Sequence, residues 1–120
     1  RNGDGTAWSP ADAMAAHERE RALLAAALAQ PHAGPTVCVT HHPASPRAAE
    51  AFRHVPGVPW WVPAFYATTA LEDLPEADRP DLWVSGHFHA GHDLWIGRTR
   101  WVANPVEGRD FSADHILTID

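Results

Sequence analysis

A single cysteine, Cys38, in a chain of 120 residues excludes an internal disulfide, which fits a reducing compartment. It lies in the apolar stretch Thr36-Val37-Cys38-Val39-Thr40 and reads as an inert buried thiol. Positive charge is also scarce: nine basic residues, all arginine and scattered along the chain, stand against fifteen acidic ones, for a formal charge of -6. That balance argues against a nucleic-acid-binding surface and against attraction to an anionic membrane. No apolar run approaches the roughly 18 residues of a membrane span, and Arg1-Asn2-Gly3-Asp4-Gly5 has no apolar signal core, so a cytoplasmic chain is expected. An initiator methionine is missing as well. The turn dipeptides Asn2-Gly3 and Asp4-Gly5 open directly onto a helix signal, and the start reads as that of a truncated or processed chain.

What is present suffices for one ordinary domain, with 45% of residues hydrophobic. Ser9, Pro10 and Asp12 form a helix start, with Ser9 as N-cap, Pro10 at the first helical position and Asp12 near the positive helix end. The helix is expected to run to about Gln30, where Pro31 and Gly34 end it, and Leu23, Leu24 and Leu28 predict a buried C-terminal half. Residues 36–40, β-branched and bounded by turn residues, read as a buried central strand. The proline- and glycine-rich stretch 43–63 predicts a long irregular loop of the kind that covers active sites, and 64–74 is a helix candidate. Strands are expected at 81–85, at 92–96 and 99–103 joined by a Gly97-Arg98 hairpin turn, and at 115–119. One early helix followed by several strands predicts a mixed α/β sheet and not an alternating βαβ fold. The six tryptophans read as core or loop anchors, with substrate stacking as the alternative for Trp60 and Trp61.

Two histidine loops carry the chemistry. His41 and His42 follow the first expected strand, and Gly86-His87-Phe88-His89 follows the second. Imidazole is the commonest protein ligand for borderline transition metals, and ligands at strand ends converge on one sheet edge where rigid strands fix their geometry. The plainer alternative is that His41 or His42 closes its strand through a backbone hydrogen bond. His17, His32, His54, His92 and His115 lack this context and read as surface residues.

The elements Val39-Thr40-His41-His42-Pro43, Ser85-Gly86-His87-Phe88-His89 and Asn104-Pro105, in that order and spacing, resemble the C-terminal half of the calcineurin-like metallophosphoesterases from about Gly34 onward. The resemblance implies part of a β-sandwich flanked by helices, so residues 1–120 are expected to form a single partial domain. It further implies hydrolysis of a phosphate ester at a centre of two divalent ions, manganese, iron or zinc, with His41 and His87 on one ion and His89 on the other. Such a pair activates a bridging water and clamps the phosphoryl oxygens.

The same resemblance expects Asp-x-His, Gly-Asp-x-x-Asp and Asn-His-Asp/Glu elements in an N-terminal half. None is present, and Gly3-Asp4 is followed by Ala7 where a second acidic residue is expected. A missing N-terminal half is therefore the expected partner, and the chain alone is expected to be inactive. Asn104-Pro105 is followed by Val106-Glu107-Gly108-Arg109 and not directly by glycine, which leaves Asn104 and Arg109 as candidates for supporting or substrate contacts, Arg109 as a fork-shaped phosphate donor. His42 is expected to support the ligand loop without binding, because consecutive side chains leaving a strand point to opposite sides. Competing readings are a non-catalytic fragment or metal-binding module and, below it, a cupin-like single-metal protein using Asp93. A histidine-triad hydrolase needs alternating histidines, and the next one after His89 is His92.

Overall fold

The computed structural model describes residues 3–47, 57, 59, 61, 67–87, 89–105, 113 and 117–119. The chain divides into two compact units, Arg1–Pro31 and His32–Asp120. The first is built on helix α1 (Pro10–Leu28). Its start follows the expected capping chemistry: the Asp12 N–H donates to the Ser9 hydroxyl at 3.2 Å, and the Ser9 N–H donates to the Asp12 carboxylate at 2.9 Å. The buried C-terminal half expected from the leucines does not appear, since no residue of α1 is buried and Leu23 is exposed. Leu24 and Leu28 share a face at i, i+4 spacing while Leu23 lies about 100° round, so the leucines make no common stripe. No helix among the described residues is long and apolar enough to cross a membrane.

The second unit holds a four-stranded mixed sheet of β1 (Val37–Thr40), β2 (Leu82–Ser85), β3 (His92–Ile96) and β4 (Thr99–Ala103), in the order β1-β2-β4-β3. The mixed α/β class expected from the sequence is the one observed. Strands β1, β2 and β4 are parallel, and β3 runs antiparallel to β4. The turn between β3 and β4 is the expected one, with Gly97 at φ 60° supplying the left-handed position that a two-residue hairpin needs. Strand β1 departs from expectation: it lies at the sheet edge, and Val39 is 72% exposed. Only one of its faces is covered. That face carries Cys38, whose thiol is pushed up to about 11 by burial and so stays protonated and unreactive at neutral pH.

Register puts Cys38, Trp83, Trp101 and Leu94 in one row across that covered face. Trp83 and Trp101 are fully buried, packed in a core with Leu71, Leu74 and Ala44. The helix expected over 64–74 is absent from its described part, residues 67–74, which form turns. There the Thr68 and Leu71 N–H groups donate to the Pro43 and Ala44 carbonyls, and not back along their own segment. These bonds staple the residues after His42 to the core. A short 3-10 turn follows at Glu76–Asp78. Of the final strand expected at 115–119, residues 117–119 are not in a strand and the rest lie outside the described residues, as does most of the loop expected over 43–63.

Candidate metal centre

Because β1, β2 and β4 are parallel, the residues that follow them leave the sheet at the same edge. Those residues are His41-His42-Pro43, Gly86-His87 and Asn104-Pro105. In open α/β sheets this carboxyl edge is where ligands bind, since loops there are held by rigid strands on only one side. The strand ends are tied together: the Gly86 N–H donates to the His41 carbonyl at 3.0 Å. The buried Trp83 indole donates to the Thr40 hydroxyl at 2.9 Å, and that hydroxyl donates to the His42 carbonyl at 2.8 Å. A core side chain thus anchors the loop that bears both histidines.

At this edge His41 Nε2 and His87 Nδ1 lie 3.0 Å apart. The His42 ring joins them, with its centroid 5.0 Å from that of His41 and 4.4 Å from that of His87. One ring nitrogen from each of the three lies within 4.8 Å of the others, and among the described residues no other group of three or more such donors is this close. Tetrahedral zinc–imidazole bonds of about 2.0–2.1 Å place ligand nitrogens about 3.4 Å apart. The His41–His87 pair, in hydrogen-bond contact at 3.0 Å, lies close to that spacing but short of it. His41 and His42 are solvent-exposed, and the wider separations in the trio, up to 4.8 Å, exceed that spacing. Burial, and then the charges of His42, His41 and His89, lowers the His87 pKa and favours the neutral imidazole that ligates metals. The donor set fits one borderline ion. For two dications it lacks the carboxylates that would balance their charge.

The structure brings His41 and His87 together and adds His42, which sequence reasoning set aside. The alternation argument fails there because β1 ends at Thr40; His41 and His42 lie in a bend, where successive side chains need not oppose. His89 is exposed and contributes no nitrogen to the trio, although its charge acts on His87. Asn104 is half-buried beyond the end of β4, and Arg109 lies outside the described residues. The cupin-like use of Asp93 meets a direct competitor: Arg100 grips that carboxylate through two hydrogen bonds of 2.9 and 2.6 Å. His92, expected at the surface, instead packs edge-on against Trp101 at 4.3 Å, and neither of its ring nitrogens reaches solvent or a hydrogen bond of normal geometry. Burial lowers its pKa, outweighing the opposite pull of the Ala90 backbone and the Asp93 carboxylate. A cavity of about 320 Å³ lies away from the histidines, between Asp81, Leu82, Trp95, Arg98 and Arg100. Both of its arginines are paired with aspartates.

His87 alone among the described non-glycine residues has positive φ, at 66°. Left-handed backbone costs a residue with a Cβ about 1–2 kcal/mol, and surroundings that impose it are commoner at functional sites. Glycine relieves that strain but loses about 0.5–1 kcal/mol to its flexibility. His87→Gly is therefore expected to be about 0.5–1 kcal/mol more stable than His87→Ala in urea titrations. The two variants lose the same ring. Equal midpoints would show that the backbone here is unstrained. Comparisons of the chain with family models, curated proteins and solved structures find no match.

Proposed function

We propose that this chain is the histidine-bearing C-terminal part of a calcineurin-like metallophosphoesterase, a hydrolase of phosphate esters that uses two divalent ions drawn from manganese, iron and zinc. The observation that carries the reading is topological. Three motifs that resemble the family's in order and spacing are far apart in sequence, yet parallel β1, β2 and β4 bring the residues after each to one sheet edge. In this reading His41 and His87 hold one ion and His89 the other, with His42, Asn104 and Arg109 as supporting or substrate-contacting groups. The bound ions supply charge to activate water and to hold the phosphoryl oxygens. Edge strand β1, with Val37 and Val39 exposed on one face, suits one layer of a β-sandwich whose other layer lies elsewhere in the protein. The bridging and terminal carboxylates come from outside these residues, and the chain by itself is inactive.

One observation favours a second reading, a metal-binding module without turnover: the trio is all imidazole, with no carboxylate beside it among the described residues. A cupin-like protein is disfavoured by the parallel strands, since that architecture is antiparallel throughout. The test is to express the entire open reading frame that contains these residues and to assay aryl phosphate mono- and diesters with manganese, iron or zinc. Metal-dependent turnover that falls more than about 100-fold in His87→Ala is expected, because even groups that only support a ligand cost about 10- to 100-fold. Stoichiometric metal without turnover would replace the enzyme with the module, and an absence of bound metal would overturn both.

A further inference from the structure

We propose that His41, His42 and His87 form a three-imidazole site that binds one borderline divalent cation, zinc foremost, within this chain and without His89. The proposal shares with the phosphoesterase reading only the placement of His41 and His87 on a common ion. It needs neither a second metal nor turnover.

Three features carry it. The first is proximity: nitrogens of three rings lie within 4.8 Å of one another, and the closest pair, in hydrogen-bond contact at 3.0 Å, brackets with that limit the roughly 3.4 Å between ligands of one tetrahedral ion. The second is the origin of the ligands. Two come from the bend after β1 and one from the loop after the neighbouring parallel strand β2, and the Gly86 N–H to His41 carbonyl bond of 3.0 Å locks those segments together. The third is the support behind His42. Its carbonyl accepts from the Thr40 hydroxyl, which in turn accepts from the buried Trp83 indole, so the loop that presents its ring is fixed from the core.

Three protein nitrogens leave a fourth tetrahedral position open to solvent or to a ligand atom. Imidazole donors favour zinc, copper, nickel or iron, whereas magnesium and calcium require oxygen. The site therefore discriminates by chemistry: zinc and cobalt bind, magnesium does not.

The experiment is zinc titration of the purified chain against a chromophoric chelator, with cobalt(II) as a spectroscopic probe of coordination. One equivalent per chain and visible cobalt bands of a tetrahedral site are expected. His41→Ala, His42→Ala and His87→Ala should each weaken zinc more than about 100-fold, beyond the 10- to 100-fold typical of groups that only orient a ligand, while His89→Ala stays within about threefold of the parent. Circular dichroism checks that each variant folds. For any variant that does not, nitrogen-15 spectra of the histidine rings in the unaltered chain decide: signals from His41, His42 and His87 should move together and saturate at one equivalent, with His89 unmoved. The proposal is overturned if His42→Ala binds like the parent, if His89→Ala loses the ion, if the His42 ring does not respond to zinc, or if no stoichiometric binding occurs. Because none of these measurements reads turnover, their failure is distinct from a failure of phosphate-ester hydrolysis.

Discussion

Trp101→Ala is expected to remove about 3–5 kcal/mol of folding stability, the cost of truncating a large aromatic ring in a close-packed core. Trp101 sits on β4, between β2 and β3, and is fully buried. Its indole donates to the buried Ser85 hydroxyl at 2.8 Å, and its ring supports His92 at 4.3 Å. Truncation leaves a cavity and a hydroxyl without its donor, so transfer and hydrogen-bond losses act in the same direction. Domains of this size hold on the order of 5–15 kcal/mol in total, and the variant should be largely unfolded or melt far below the parent. Trp95→Ala is the control. Trp95 is 63% exposed on the opposite face of neighbouring β3, and its truncation should cost less than about 1 kcal/mol. Urea titrations followed by circular dichroism measure both, and similar losses in the two variants would show that the assigned register is wrong.

That contrast also marks what the sequence could and could not convey. Trp95 and Trp101 look alike in composition, and both fall in strands whose limits Gly97-Arg98 makes easy to read. Which tryptophan is interior depends on register with strands distant in sequence, because a one-residue shift exchanges the two faces. The same gap explains β1. Its residues read as a central strand, whereas strand order, a property of the whole chain, leaves it at the edge with Val39 exposed. The α1 start was legible because a capping box is local. The turns that stand at 67–74, in place of the helix expected over 64–74, were not, because the competing acceptors are the carbonyls of Pro43 and Ala44, more than twenty residues away. For the candidate site, strand-terminal position pointed to His41 and His87. The signal for His42 was already present in a strand expected to end at Thr40, because alternation stops applying to the residues beyond that end. His92 gave no such signal, since its burial depends on Trp101 across the hairpin.

Under the phosphoesterase reading, His41→Ala and His89→Ala in a protein loaded with two ions are expected to remove different metals. The phosphoesterase reading assigns these residues to separate ions, and their positions suit that assignment. His41 lies with His42 and His87 in one trio, its Nε2 3.0 Å from His87 Nδ1. His89 follows His87 by two residues, yet is exposed and contributes no nitrogen to the trio. Each variant should therefore retain one metal equivalent by elemental analysis, and turnover should fall more than about 100-fold in both because a pair of ions must act together. The variants differ in which ion stays. Mixed-metal loading, with zinc in one position and manganese in the other, identifies it: the metal lost from His41→Ala should be the one His89→Ala keeps. His42→Ala then separates the two roles available to its ring. As a ligand it loses the same metal as His41→Ala; as a support for the loop it keeps both ions and a reduced rate. Loss of the same metal from His41→Ala and His89→Ala, with the fold intact, would place both histidines on one ion and end the two-ion assignment.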